Sequence, residues 1–300
     1  MDKKQRCQMP NINRRSFLKT TALSAAAAGS AKVSSANQLI QIDNTTAFPS
    51  VCLGRHNVSR LILGGNPFSY IAHAEPLLYS RELFRHYLTH DKIVETMTLA
   101  NQAGVNTFLG RIDNNVIGFL NKYEKVTGGS MPWLAQTSKK PQSGASREDI
   151  LDNIRFAADN GATGIYLQGQ SADYLVKEGE ITDLEEYLSF IRSRGVLAGI
   201  GAHDIGTIES CEKNKIIPDF YMKTFNRMEY CCPNIARTKE IMAKVRAPWI
   251  AFKVLAAGRM TPKDGFTEAL SAGADFLCVG MFDFQVAENV ALFKQLLKEL

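Results

Sequence analysis

The chain has 300 residues, 45% hydrophobic and 22% charged, a composition that can fill the core of a folded domain. Its 35 Lys and Arg exceed its 30 Asp and Glu, but residues 1–36 hold seven of the basic groups and one acidic group, leaving 28 against 29 beyond them. That near-neutral remainder excludes an electrostatic case for nucleic acid or an anionic membrane as partner.

At the start of the chain, Asn13-Arg14-Arg15-Ser16-Phe17-Leu18-Lys19 places two adjacent arginines before a short apolar stretch and resembles a twin-arginine export signal. The stretch from Phe17 to Ala31 is rich in Ala, Thr and Ser and falls short of the ~20 apolar residues that span a bilayer. Small residues follow at Ser34-Ser35-Ala36, as at a cleavage site. The resemblance implies a signal over residues 1–36, the twin-arginine export machinery as partner, a periplasmic or otherwise exported protein, and no stable membrane anchor. A basic amphipathic tail of a cytosolic protein is the alternative. Cys7 would leave with the signal, and the five remaining cysteines, an odd number, argue against a disulfide framework. Cys231-Cys232 leaves open a strained vicinal bond or a soft-metal site, while Cys52, Cys211 and Cys278 read as ordinary thiols, Cys278 within the core.

Residues 37–59 read as an extension with a hairpin. From Arg60 to Leu300 a short apolar or β-branched run, a turn and a helical stretch repeat eight times. The strands are predicted at Leu61–Gly65, Val105–Leu109, Trp133–Thr137, Gly164–Gln168, Leu197–Ala202, Asp219–Lys223, Trp249–Leu255 and Phe276–Gly280, each followed by a helix. Gly104, Gly161, Gly195 and Gly273 stand where helices end and the next strand begins, the position of a left-handed cap. Eight such units predict an α/β fold, a (β/α)8 TIM barrel over residues 60–300. An open doubly wound sheet is the rival, but Leu63-Gly64-Gly65-Asn66-Pro67 is no dinucleotide fingerprint opening a helix.

In such a barrel the loops after the strands carry function. The polar residues there are Asn66, Arg111, Gln136 with Lys139, Gln168 with Gln170, His203 with Asp204, Lys223, Lys253 with Arg259, and Asp283. Lys223 and Lys253 are each embedded in an apolar strand. A buried unpartnered cation is costly, so at least one is expected to face the mouth and meet an anion or a substrate; an ion pair with Asp204 or Asp283 is the alternative. The first loop, from Asn66 to about His90, is long enough for a lid, with local packing as the equal rival, and a short helix is predicted over 80–88. His73 and His86 lack ligand spacing, and no metal is expected.

Leu53-Gly54-Arg55, Val58-Ser59-Arg60-Leu61 and Gly64, together with Gly280 and Gln285-Val286-Ala287-Glu288-Asn289, resemble the opening hairpin and the closing strand and helix of the aldo-keto reductase family. Gly104-Val105-Asn106-Thr107-Phe108 and Phe225-Asn226 add to it. The resemblance implies carbonyl or sugar substrates and NADP or NAD held by Gly280, Gln285, Glu288 and Asn289. The family's catalytic positions are altered: Leu109 stands for the Asp, Asn114 for the Tyr and Gln168 for the His, with Lys139 as the survivor. No basic residue follows Gly280 for a 2′-phosphate, since Met281 and Phe282 occupy that stretch. Asp219 to Thr224 and Phe252 to Arg259 resemble, in turn, the paired lysine strands of deoxyribose-phosphate-type class I aldolases, in which one lysine activates another as a Schiff-base nucleophile. A non-catalytic periplasmic binder of sugars is the third reading. The expected catalytic set is therefore Lys223, Lys253, His203 and Lys139, with Asn66, Arg111, Gln136, Gln168 and Asp204 holding a small-molecule substrate.

Overall fold

A computed structural model describes residues 48–73 and 77–300. The expected signal, residues 1–36, and the extension up to residue 47 lie outside the described residues. Within them, β1 (Ser50–Leu53) and β2 (His56–Ser59) form an antiparallel hairpin. Eight parallel strands then close into a ring: β3 (Leu61–Gly64), β4 (Phe108–Arg111), β5 (Trp133–Gln136), β6 (Gly164–Leu167), β7 (Leu197–Ala202), β8 (Phe220–Thr224), β9 (Trp249–Phe252) and β10 (Phe276–Gly280). β10 pairs with both β9 and β3 and shuts the barrel.

Helices cross over between the strands and cover the ring: α1 (Ser80–Tyr87) and α2 (His90–Gln102) after β3, α3 (Asn114–Thr127), α4 (Arg147–Asp159), α5 (Gly169–Lys177) with α6 (Ile181–Ser193), α7 (Ile205–Lys213), α8 (Ile235–Met242), α9 (Pro262–Ser271) and α10 (Asp283–Glu299). The four glycines that separate helix from strand do so with positive φ, 99° at Gly104, 80° at Gly161, 77° at Gly195 and 90° at Gly273, a conformation that costs a side chain with a Cβ.

Alternation along the strands sorts two cores. Ile62, Leu109, Leu134, Tyr166, Phe220, Met222, Ile250 and Phe276 fill the barrel interior, while their neighbours Leu61, Leu63, Phe108, Trp133, Tyr221 and Trp249 pack outward against the helices. Leu53 and Val58 of the hairpin, both fully buried, join the interior cluster and plug the ring at the N-terminal ends of its strands. Two such side chains contribute about 1.5–3 kcal/mol each to closing that end.

Two strands differ from expectation by more than one residue at an end. β4 begins at Phe108, not Val105, because Asn106 is spent on the hairpin: its side chain accepts from Ser59 N at 2.9 Å and donates to Asn57 O at 3.0 Å. β9 ends at Phe252, not Leu255, because Lys253 turns left-handed at φ 55° and breaks the extended run. Cys211, Cys231, Cys232 and Cys278 are free thiols, so the vicinal pair Cys231-Cys232 is not bridged. Among the described residues no helix is long and apolar enough to cross a membrane.

Gly201 on β7 leaves no room for a methyl, since a Cβ would lie 2.8 Å from Gly169 N and 2.8 Å from Leu167 O. Gly201→Ala is expected to lower stability by about 1–3 kcal/mol in chemical denaturation, and Gly129→Ala, with nothing within 4 Å, to stay within about 0.5 kcal/mol of the parent.

Candidate functional site

The mouth of the barrel is organised by a residue of a helix. Asp173 on α5 reaches to the end of β7, where its Oδ2 accepts from His203 N at 3.0 Å and faces His203 Nδ1 at 3.1 Å. Its other oxygen accepts from Thr207 Oγ1 at 2.7 Å and from Asp204 N at 3.3 Å. A carboxylate can only accept, so the imidazole presents Nδ1–H to it and leaves Nε2 as the free face. The His203 side chain remains 18% exposed, enough for a small molecule to reach that nitrogen. The ring packs edge-on against Phe252, 5.6 Å away, at the end of β9.

Beside this pair the loops after β3, β8 and β9 meet at Tyr230. Lys253 Nζ lies 5.3 Å and the Arg259 guanidinium 4.5 Å from the centre of its ring, a double cation–π contact, and His73 meets the ring at 6.4 Å. Asn226, 1% exposed, pins the arrangement: Oδ1 accepts from Tyr230 N at 2.9 Å, while Nδ2 donates to Tyr230 O at 3.0 Å and Lys253 O at 3.2 Å. Left-handed φ values at non-glycine residues concentrate on these same loops, at Tyr70, His73, Glu229, Cys231, Asn234, Lys253, Ala256 and Ala257. Such conformations cost of order 1–3 kcal/mol each and persist where the surroundings over-determine them.

The titration behaviour follows from burial beside cations. His73 is pushed down to about 4, first by burial and then by the charges of Lys253 and His203, which brings all three into one electrostatic neighbourhood. Asn66 joins them, its Nδ2 lying 3.4 Å from His73 Nε2. Burial also lowers Lys253, partly offset by contact with the Cys231 thiol.

Lys223 does not belong to this group. Strand alternation turns it outward, between Met222 and Thr224, and the side chain is fully buried. Nζ donates to His203 O at 2.7 Å, Thr224 Oγ1 at 2.9 Å and Thr224 O at 3.0 Å, with Cys232 Sγ at 3.6 Å. Burial lowers its pKa, and its three oxygen contacts leave no face for a substrate. The catalytic set that included Lys223 is corrected: Lys223 ties the ends of β7 and β8, and of the two lysines Lys253 is the one that joins the cluster at Tyr230. Neither pairs with Asp204, which caps α7 through Gly206 N at 2.9 Å, or with Asp283, which binds Lys92 at 3.2 Å and Tyr87 Oη at 2.7 Å.

Of the other expected residues, Arg111 and Gln136 pair in register at the rim, on the inward phase set by Leu109 and Leu134. Arg111 has Asp113 at 3.7 Å, and its Nε is buried without a hydrogen bond among the described residues. Gln168 is committed to capping α5, its Oε1 accepting from Ser171 N at 3.1 Å. Lys139 is exposed on a separate groove of about 380 Å³ formed by the loop after β5, together with Lys140 and Asp149. Sequence reasoning missed Asp173, Tyr230 and Asn226. Asp173 lies inside a helix with no local motif, and the other two gain meaning only when distant loops converge.

The expected cofactor positions, Gly280, Gln285, Glu288 and Asn289, offer no basic side chain of their own for a 2′-phosphate. Gln285 Oε1 is engaged by Phe282 N at 3.1 Å, Asn289 is 3% exposed, and Glu288 faces solvent. The first turn of α10 presents Asp283, and the cation near it, Lys92, is already shared with Glu95 at 2.7 Å. A 2′-phosphate or pyrophosphate would meet carboxylates there, where binding needs basic groups or free N–H groups. Among the described residues no group of three or more His, Cys, Asp and Glu is placed to hold a metal ion.

No protein-family model and no curated protein matches this chain. Solved structures share its fold. A candidate aldo-keto reductase from Pseudomonas aeruginosa superposes with a TM-score of 0.60 at 17% identity, covering 87% of this chain and 100% of its own. A Gox0644 variant in complex with NADPH gives 0.55 at 11% identity over 85% and 94% of the two chains. A mandelate oxidase with a bound hydroxy acid gives 0.52 at 13% identity over 96% and 83%. The shared feature is the (β/α)8 barrel.

Because His73 is depressed below the ordinary histidine value, the unfolded chain binds more protons between pH ~6.5 and ~4 and the folded state loses stability as pH falls through that window. A proton NMR titration of the His73 ring is expected to give a midpoint near 4 that rises in Lys253→Met. An ordinary midpoint near 6.5 would separate His73 from the cluster.

Proposed function

We propose that this chain is an enzyme that moves a proton to or from a carbonyl or hydroxyl group of a small sugar-like compound, with His203 as the acid–base group and Asp173 as its positioning partner. The observation that carries the reading is the Asp173–His203 contact at the C-terminal rim of the barrel, 3.1 Å at Nδ1, which leaves Nε2 outside that contact. The carboxylate holds the ring orientation and stabilises the imidazolium formed when Nε2 takes a proton. A positioned group of this kind is worth about 10²–10⁴ in rate. Lys253, at the pocket edge, balances negative charge that develops on a substrate oxygen.

The aldo-keto reductase likeness supports a common barrel ancestry and a carbonyl or sugar substrate, and the altered positions Leu109, Asn114 and Gln168 support chemistry other than tyrosine-assisted hydride transfer. The twin-arginine-like run Asn13 to Lys19 supports export, with removal of a signal over residues 1–36.

A second reading, a lyase acting through a Schiff base, rests on Lys253 alone, whose amine is lowered by burial yet reaches the pocket. Borohydride reduction with short aldehydes and ketones would add mass to Lys253 on this reading, and an unlabelled Lys253 removes it. Lys223, enclosed by its acceptors, is expected to stay unmodified in either case.

The acid–base reading is tested in D2O with a panel of aldoses, ketoses and their acids, following conversion or deuterium uptake by proton NMR. His203→Asn and Asp173→Asn are each expected to slow turnover by about 10²–10⁴. Full turnover in His203→Asn would refute the assignment, and binding of sugars with no turnover by the parent protein would favour a non-catalytic binder.

A further inference from the structure

We infer that Lys253 and Arg259, gathered on Tyr230, form a carboxylate-binding subsite, so that the compound handled beside His203 is a small hydroxy or keto acid. This deepens the reading above and rests on it for the reaction, but its own basis is the charge arrangement at the mouth. Both cations lie against one tyrosine ring, 5.3 Å and 4.5 Å from its centre. The carboxylates of the surrounding loops have partners elsewhere, Glu229 beside the tyrosine accepting from Ile235 N at 3.0 Å. Asp173 holds His203, Thr207 and Asp204 N. Asp204 caps α7, and Asp264 with Glu268 pairs to Arg227 at 3.2 Å and 2.7 Å.

Lys253 is half-buried and Arg259 exposed beside one ring, on a loop whose backbone is left-handed at Lys253, Ala256 and Ala257. An anion from outside would meet both charges at once. The Arg259 fork suits the two oxygens of a carboxylate, and Lys253 adds a point charge that also reaches toward the reacting carbon. His73, uncharged above pH ~5, supplies with Asn66 neutral polar groups for the hydroxyls of such an acid.

A carboxylate fits better than a phosphate. Barrels of this class hold phosphate on the loop after the last strand and a helix N-terminus there. In this chain that turn carries Asp283, already bonded to Tyr87 and Lys92, which repels a phosphate.

The test is calorimetric titration of the purified full protein with glycolate, lactate and gluconate, each against its uncharged counterpart, ethylene glycol, propane-1,2-diol and glucitol, at constant ionic strength. At least one acid is expected to bind about tenfold or more tightly than its counterpart. Arg259→Gln, at an exposed position, and Lys253→Met are each expected to weaken that acid about tenfold while leaving the counterpart unchanged. Absence of any preference for the acids, or a preference that survives both substitutions together, overturns the subsite. Titration of His203→Asn separates the two proposals. Retained acid binding with turnover unaffected refutes the proton-transfer role and leaves the subsite standing. Loss of turnover in that variant, with no charge preference in the parent, does the reverse.

Discussion

The carboxylate of Asp173 is the constraint from which the mouth of this barrel is built. It lies on a helix that follows one strand and takes four hydrogen bonds from the loop that follows the next, so the register of β6 against β7 becomes the orientation of an imidazole. Lys223 works on the neighbouring seam in the same way. Its ammonium collects the carbonyls of His203 and Thr224 and joins the ends of β7 and β8. A buried charge is retained here because each of its protons finds an acceptor, and removal of those acceptors would leave it unsolvated. The rim is thus held by buried polar contacts above an apolar interior.

Stiffness below and strain above divide the labour of the fold. The interior cluster from Ile62 to Phe276, sealed underneath by Leu53 and Val58, is built of hydrophobic side chains. On the opposite side, three loops adopt left-handed turns at residues that bear side chains and converge on one tyrosine ring. Asn226, with three hydrogen bonds and almost no exposure, fixes two of these loops to one another. Positive charge collected there, next to a histidine with a committed partner, is the basis of the proposed acid–base chemistry on a small anionic compound.

Much of the fold was legible because its signals are local. Periodicity and the glycines before four of the strands marked the eight units, and β7 and β10 fall at the expected bounds. The errors arose where side chains reach across the molecule: Asn106 delays β4 by binding the hairpin, and Lys253 ends β9 through a backbone turn that its own residue type disfavours. The site was legible in part. His203, Asn66, Arg111 and Lys253 stand at strand ends, where the topology alone selects them. Lys223 misled because an apolar strand with one lysine looks the same whether that lysine points inward or outward, and only the phase set by Phe220 and Met222 decides. Asp173 was invisible, since a helical aspartate becomes a histidine's partner only through the packing of α5 on β7.

The most direct test of this account is the tautomer of His203 in its neutral form, read from long-range proton–nitrogen NMR correlations of the histidine rings. The account predicts a protonated Nδ1 and a bare Nε2, reverting to a mixture in Asp173→Asn. A wild-type His203 that carries its proton on Nε2 would contradict it, because the nitrogen assigned to meet the substrate would then have no lone pair to offer.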